Sequence, residues 1–99
     1  MVEIFDSARL VGEKNVPTEI LPAQCRAARG LLDWSQEDLA QAAGLSRSTI
    51  KDFEAGRHEL QRASAAQLVQ SLVTAGVILL PAMEAGLGAG VRLVRGDAF

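Results

Sequence analysis

A chain of 99 residues with a formal net charge of −2 is long enough for one folded domain with short flanking segments and too short for two domains. Hydrophobic residues make up 48% of it and charged residues 22%, which excludes wholesale disorder. A single cysteine, Cys25, excludes an intramolecular disulfide, and a single histidine, His58, leaves no zinc site built from Cys and His. We therefore expect no metal and no cofactor.

Signals for export or membrane insertion are not visible in the sequence. No charged leader precedes an apolar stretch at the N-terminus, and the longest apolar stretch, residues 72–83, is interrupted by Thr74, Gly76 and Pro81. That stretch is far shorter than the roughly 20 residues needed to cross a bilayer. We therefore expect a cytoplasmic protein that has no membrane partner.

Residues 1–20 show no sustained hydrophobic period, and the acidic excess lies at this end of the chain. Residues 1–24 carry four acidic and two basic residues, whereas residues 25–62 carry six of each. We interpret residues 1–20 as an N-terminal arm that is flexible or loosely docked. The neutral middle of the chain is compatible with a local basic face.

Residues 21–76 have the periodicity of four helices, and the first two have clear signals at their ends. Pro22 is placed like the first residue of a helix, whose apolar face would hold Leu21, Cys25, Ala28 and Leu32. Ser35 and Asp38 form a capping-box pattern that predicts the start of the second helix. Gly44 predicts its end, in a left-handed conformation.

The third and fourth helices follow in the same way. Ser46 is a second N-cap candidate, for a helix over residues 47–55 that Gly56 ends and that turns Ile50 and Phe53 inward. The fourth helix is predicted from residues 62–64 to residue 75. Its buried stripe would be Ala65, Leu68, Val69, Leu72 and Val73.

The pattern then changes to one typical of strands. Residues 77–80 form an apolar run that ends at Pro81, and residues 91–95 alternate apolar and basic side chains. We predict a β-hairpin within residues 77–99, and hence a mainly α fold of four helices with a C-terminal hairpin. The hairpin either supplies an edge strand for dimerisation or seals the core of its own chain.

The turn at residues 44–46 separates two short helices and has the pattern of a helix-turn-helix unit. Ala40 is small where the third helix would cross the second, and Gly44 supplies the sharp turn. The outer face of the third helix would then carry Arg47, Ser48, Lys51 and Asp52. In such units the second helix presents its N-terminal residues to the major groove of DNA.

Residues 35–57 read SQEDLAQAAGLSRSTIKDFEAGR. This stretch is similar, without a gap, to the helix-turn-helix of the phage-repressor (Cro-like, XRE) family of transcriptional regulators, and the resemblance extends over residues 21–75. It implies a lambda-repressor-like domain that binds double-stranded DNA. The family's usual fifth helix is replaced here by the predicted hairpin.

The resemblance also implies roles for individual residues. Gln36 corresponds to a position that holds a DNA phosphate and buttresses the third helix, and Arg29 and Glu54 correspond to a structural ion pair between helices. Positions that read base edges are matched by Arg47, Ser48 and Asp52. Positions at or next to contacts with the DNA backbone are matched by Ser46, Thr49, Lys51, Arg57, His58 and Arg62.

Asp52 has two interpretations that the residues alone leave open. Its carboxylate can accept a hydrogen bond from the amino group of cytosine. It can instead orient Arg47 or a neighbouring base, because a carboxylate close to DNA phosphates is electrostatically unfavourable.

We expect a sequence-specific transcriptional regulator, a homodimeric repressor that reads an inverted repeat through the helix at residues 47–55. Two alternatives keep the same scaffold. The first is an antitoxin-type, self-regulating protein that binds a protein partner as well as DNA, and the second is an anti-activator that binds a protein and no longer binds DNA. We do not expect an enzyme, since the sequence shows no nucleophile–base pair and no metal-ligand set.

Overall fold

The computed structural model describes residues 19–83 and 85–94. In chain order these residues form α1 (Pro22–Leu32), α2 (Gln36–Ala43), α3 (Arg47–Glu54), α4 (Arg62–Thr74), β1 (Val77–Leu80) and β2 (Gly90–Leu93). The prediction of a mainly α fold with four helices and a C-terminal hairpin is confirmed. Most of the predicted arm, residues 1–18, lies outside the described residues, as do residues 95–99 of the predicted hairpin segment.

The ends of α2 and α3 are set by local hydrogen bonds. The hydroxyl of Ser35 accepts from the backbone N–H of Asp38 at 2.9 Å, and the Asp38 carboxylate accepts from the backbone N–H of Ser35 at 2.9 Å. Gly44 ends α2 at φ +72°, in the left-handed region. The Ser46 hydroxyl then accepts from the backbone N–H of Thr49 at 3.1 Å and so caps α3.

The two ends of α1 have neither a Ser or Thr at the N-cap nor a Gly at the C-cap. At its C-terminus Asp33 takes the left-handed conformation with φ +58°, and its N–H donates to the Gly30 carbonyl at 3.3 Å. At its N-terminus Leu21 has an extended backbone and is 54% exposed. The expectation that Leu21 belongs to the buried face of α1 is therefore wrong, because a residue before the first helical turn does not follow the helical period.

The core lies where the four helices and β1 meet. Each element contributes one or more side chains with almost no exposed area, mostly aliphatic. They include Cys25, Ala28, Leu39, Ala40, Ile50, Phe53, Leu68, Val69, Leu72, Val73, Val77 and Leu79. Ala65, predicted in the buried stripe of α4, is only partly buried.

The hairpin packs on the core of its own chain. Its strands are antiparallel, with Val77 opposite Leu93 and Leu80 opposite Gly90. The side chain of Gln24 in α1 is only 7% exposed, and its Nε2 donates to the carbonyls of Leu80 at 3.1 Å and Gly90 at 3.0 Å. One buried amide thus joins both strands to α1, at the end of the hairpin nearest its loop.

Candidate nucleic-acid interface

The inner face of α3 is fixed against the rest of the domain by the turn and by buried side chains. The N–H of Leu45 donates to the carbonyl of Ala40 at 3.0 Å, which closes the turn between α2 and α3. Ile50 is fully buried and Phe53 is 6% exposed. Ala40 is 2% exposed. This face of α3 therefore packs in the core, and the opposite face of the helix is exposed.

The open face of α3 carries exposed cationic side chains. Arg47 is the first residue of the helix and Lys51 follows one turn later. Both are exposed, and neither side chain makes a hydrogen bond or ion pair with another described residue. Their charged groups are therefore available to a partner without breaking a contact within the described structure.

Three hydroxyl groups cluster at the N-terminus of α3. The Ser46 hydroxyl oxygen lies 2.7 Å from the Thr49 hydroxyl oxygen and 3.2 Å from that of Ser48. Hydroxyls can donate as well as accept, so the cluster can turn a donor toward an oxygen atom outside the protein. The partial positive charge of the helix N-terminus favours an anion at this position.

A shallow groove runs beside α3 toward the start of α4. It is lined by Ser48, Thr49, Asp52, His58, Glu59, Leu60, Gln61 and Ser64. The structure therefore brings three of the predicted α3 residues next to His58 of the following loop. Arg62 is exposed at the first position of α4, and neither His58 nor Arg62 has a side-chain hydrogen bond within the part of the chain that the structure describes.

Asp52 contacts Arg57, a partner that the residues alone did not suggest. The Arg57 Nη1 lies 3.6 Å from the Asp52 Oδ1, and the backbone N–H of Arg57 donates to the Asp52 carbonyl at 2.9 Å. The side chain of Arg57 is 65% exposed and that of Asp52 35%. The pair is therefore open to water and to any molecule that approaches the groove.

Glu54, the last residue of α3, is the polar centre of the domain. It is 4% exposed, and its two carboxylate oxygens accept from Arg29 Nε at 2.7 Å and Arg29 Nη2 at 2.8 Å. They also accept from Gln36 Nε2 at 3.0 Å and from the thiol of Cys25 at 3.0 Å. The Arg26 guanidinium donates to the Glu54 backbone carbonyl. α3 is thus joined through one residue to α1 and to the first turn of α2.

The ionisation of this cluster follows from burial and hydrogen bonding. Burial opposes the charge on Glu54, but the hydrogen bonds from Arg29, Cys25 and Gln36 and the Arg29 charge outweigh it, so the pKa of Glu54 lies below its ordinary value. Burial, followed by the hydrogen bond to Glu54, raises the pKa of the Cys25 thiol. The carboxylate is therefore charged and the thiol neutral at pH 7.

Two members of this cluster were missed as polar contacts from the sequence. Cys25 was expected only as a core residue, and Arg26 had no expected role. The available signal was helical spacing, since Cys25 and Arg29 are four residues apart and so lie on one face of α1. That Gln36 also reaches Glu54 depends on the angle between α1 and α2, which spacing along the chain does not reveal.

A helix packed on its inner side, with exposed cations and hydroxyls on its outer side and a tight left-handed turn before it, is the architecture of a helix-turn-helix domain. Residues 26–72 match the family model described as helix-turn-helix. The helix-turn-helix of the XRE type expected from residues 35–57 is therefore confirmed, and these residues form a domain of that family.

The family binds DNA and is generally non-enzymatic, so the match supports a DNA-binding regulator. No curated protein matches the chain. Among residues 19–83 and 85–94, no helix is long and apolar enough to cross a membrane.

Proposed function

We propose that this protein is a sequence-specific transcriptional repressor that binds double-stranded DNA as a homodimer and places α3 in the major groove. The observation that carries the proposal is the difference between the two faces of α3. The inner face is buried in the domain, and the outer face carries exposed cationic side chains. Ile50, Phe53 and Glu54 are buried, while Arg47 and Lys51 are exposed and make no side-chain hydrogen bond or ion pair with the other described residues. Rigid support for an exposed reading face reduces the ordering cost of binding.

Arg47 is our candidate for base reading. It occupies the first position of α3, the end that a recognition helix directs into the groove. An arginine can donate two hydrogen bonds to O6 and N7 of guanine, which contributes about 1–3 kcal/mol of discrimination against the wrong base. Ser48, two positions from the N-cap and exposed, lies beside it.

We propose that the surrounding residues hold the DNA backbone. The hydroxyls of Ser46 and Thr49 lie at the N-terminus of α3, and Lys51 lies one turn further along its exposed face. The loop after α3 and the start of α4 add exposed positive or titratable side chains, namely Arg57, His58 and Arg62. Such contacts fix the register of the protein on the duplex without reading its sequence.

We assign two roles to Gln36 in the proposed complex. Its side-chain amide donates to Glu54 at 3.0 Å, and its backbone N–H is at the first position of α2, where no carbonyl of the same helix can accept from it. We propose that this N–H faces a phosphate while the side chain braces α3. Together with the Arg29–Glu54 pair, Gln36 thus links backbone contact to the position of the reading helix.

The homodimer follows from the limited reach of one domain. α3 has eight residues and is about 12 Å long, so one copy contacts only a few base pairs. Two copies related by a two-fold axis would read half-sites about 34–36 Å apart. Our candidate contact surface is the hairpin loop, where Met83 is 59% and Leu87 is 60% exposed.

The proposal is tested by measuring the affinity of the Arg47→Ala variant for a duplex enriched by selection and for a random-sequence duplex. We expect a loss of about 1–3 kcal/mol on the enriched duplex and a much smaller loss on the random one. Arg92→Ala is the matched control, because Arg92 is an exposed arginine on β2 and its loss changes the net charge equally. Equal losses on both duplexes would contradict base reading by Arg47.

The second candidate function is a protein-interaction module on the same scaffold. The observation that favours it is negative charge at the candidate interface, since Asp52 and Glu59 both line the groove beside α3 and a carboxylate close to DNA phosphates is electrostatically unfavourable. A salt titration with random-sequence DNA separates the two candidates. A DNA-binding protein shows a steep fall of log K with log salt concentration, whereas a module that has lost DNA binding shows no binding even at low salt.

A further inference from the structure

Arg57 differs from the other described cations of the candidate interface because it already has an acidic partner. Its guanidinium lies 3.6 Å from the Asp52 carboxylate. The side chains of Arg47, Lys51 and Arg62 make no ion pair with any residue in the described ranges. A phosphate that approaches Arg57 therefore meets a guanidinium that already has a carboxylate beside one of its nitrogens.

The pairing follows from the way α3 ends. Gly56 takes the left-handed conformation with φ +76°, and its N–H donates to the Phe53 carbonyl at 3.0 Å. This turn brings the chain back so that the N–H of Arg57 donates to the Asp52 carbonyl at 2.9 Å. Backbone geometry thus brings the two residues together, and Asp52 also lines the groove between α3 and α4.

We infer that Asp52 restrains Arg57 and thereby weakens binding to DNA of the wrong sequence. The inference rests on the proposed function. A carboxylate and a phosphate compete for Nη1 of Arg57, so a non-specific contact of this nitrogen with the DNA backbone displaces Asp52. Specificity is a difference between two binding free energies, so the displacement affects it only where its cost differs between duplexes. On the correct sequence, where base contacts of α3 fix the register, Arg57 keeps Asp52 and donates to phosphate with its other N–H groups, whereas on random DNA the pair is broken. Asp52 is a specificity-determining residue through this pair.

The groove provides a matched control for the charge itself. Glu59 lines the same groove as Asp52, carries the same charge and is exposed. It makes no ion pair within the part of the chain that the structure describes. Glu59→Gln therefore measures the general electrostatic effect of removing an acid near the DNA. Only a substitution of Asp52 also removes the acidic partner of Arg57.

The experiment measures binding of the full chain to a random-sequence duplex over a range of salt concentrations. The proteins compared are the wild type, Asp52→Asn, Arg57→Gln, the double variant and Glu59→Gln. We expect Asp52→Asn to bind about two- to fivefold more tightly, the range of a solvent-exposed ion pair. The slope of log K against log salt should steepen by up to about 0.9, one added phosphate contact. Both changes should vanish when Arg57 is also replaced.

The enriched duplex provides the specificity readout. We expect Asp52→Asn to gain less on that duplex than on random DNA, so that the ratio of the two affinities falls. Asp52→Ser, which removes the carboxylate in a different way, should give the same result if the variant retains the wild-type circular dichroism spectrum. A purely structural role for Asp52 would lower both affinities and leave the salt slope unchanged.

Several outcomes would overturn the inference. One is a gain in DNA affinity in Asp52→Asn that persists when Arg57 is also replaced by Gln, or that Glu59→Gln shows equally. The Asp52 carboxylate would then act by direct repulsion of the DNA. Another is the absence of any gain while the wild type binds DNA with a steep salt slope, which leaves the proposed function standing. If neither the wild type nor Asp52→Asn binds at low salt, the proposed function fails as well.

Discussion

Glu54 connects α3 to α1 and α2, and it is a charged residue in a buried position. At 4% exposure a carboxylate is costly to bury unless it is paired. Arg29, Gln36 and Cys25 together supply four hydrogen bonds to its two oxygens. Within the described residues, no buried side-chain nitrogen or oxygen lacks a hydrogen-bond partner. The buried charge of Glu54 is therefore compensated by its hydrogen bonds and by the charge of Arg29.

Glu54→Gln should lower the free energy of unfolding by about 3 kcal/mol, because it leaves the guanidinium of Arg29 largely buried without its counter-charge. Urea denaturation followed by circular dichroism measures this change. Glu59→Gln is the control, since Glu59 is exposed, makes no side-chain hydrogen bond or ion pair with the other described residues, and its replacement should change stability by less than about 0.5 kcal/mol. Equal effects of the two substitutions would show that the Glu54 cluster does not stabilise the domain.

The same carboxylate predicts a pH dependence of stability. The pKa of Glu54 is lowered in the folded protein, whereas an unfolded glutamate titrates near about 4.3. Between the two values the unfolded chain binds a proton that the folded chain does not, so the free energy of unfolding rises with pH in this window. The stability due to the charge is complete above the unfolded pKa and is lost as pH falls through the folded one.

Urea denaturation at a series of pH values from neutral to acidic tests this dependence. The difference in stability between the wild type and Glu54→Gln should shrink as the pH falls below about 4.3. Contributions of other acids are common to both proteins and cancel in the difference. A difference that stays constant down to acid pH would contradict a lowered pKa for Glu54.

At the scale of elements, the helix ends that sequence predicts best are those set by local chemistry. Ser35, Gly44 and Ser46 act within a few residues of their own positions, and the structure shows each of them in the predicted capping role. Asp33 escaped prediction because a left-handed aspartate is a less common end signal than glycine. Gln24 escaped it because its partners, Leu80 and Gly90, are 56 and 66 residues away.

The turn between α2 and α3 gives a prediction at this scale. Gly44→Val should destabilise the domain by at least about 1–2 kcal/mol, since an L-residue with a branched side chain is strained at φ +72°. The cause is backbone conformation and not crowding, because a Cβ at this position would lie 3.5 Å from its nearest neighbour, the Gln67 side chain.

Gly30→Ala is the contrasting substitution. Gly30 lies within α1, and a Cβ there would meet nothing within 4 Å. Alanine should therefore stabilise the helix by about 0.5–1 kcal/mol. Thermal unfolding of both variants provides the measurement, and a Gly44→Val protein that melts at the wild-type temperature would contradict the role given to this turn.

At the scale of the whole molecule, the sequence predicts the type of site better than it predicts the side-chain contacts within that site. The gap-free pattern over residues 35–57 predicts both the helix-turn-helix and the exposed cations of α3. It does not predict that Asp52 pairs with Arg57 or that Cys25 donates to Glu54, because both contacts depend on how the chain closes after α3 and how α1 crosses it. The roles of individual residues toward DNA stay predictions.

The hairpin bears on the oligomeric state. Val77 and Leu79 belong to the core, so truncation after Gly76 would remove core side chains together with any dimer contact. Replacement of Met83 and Leu87 by Ser changes only exposed side chains of the loop and should convert a dimer to a monomer in light scattering. Leu31→Ser, at a 39% exposed position of α1, is the control. A dimer that survives the loop substitutions would exclude the loop as the contact surface.

The central claim is that α3 reads base sequence in double-stranded DNA. Its most direct test is selection from a pool of random-sequence duplexes by the purified full chain at moderate salt, followed by sequencing. We predict an enriched inverted repeat whose half-sites are separated by about 10–10.5 base pairs or a multiple of that spacing. A selected pool with the same composition as the input, obtained with protein whose circular dichroism shows the helical fold, would contradict the claim.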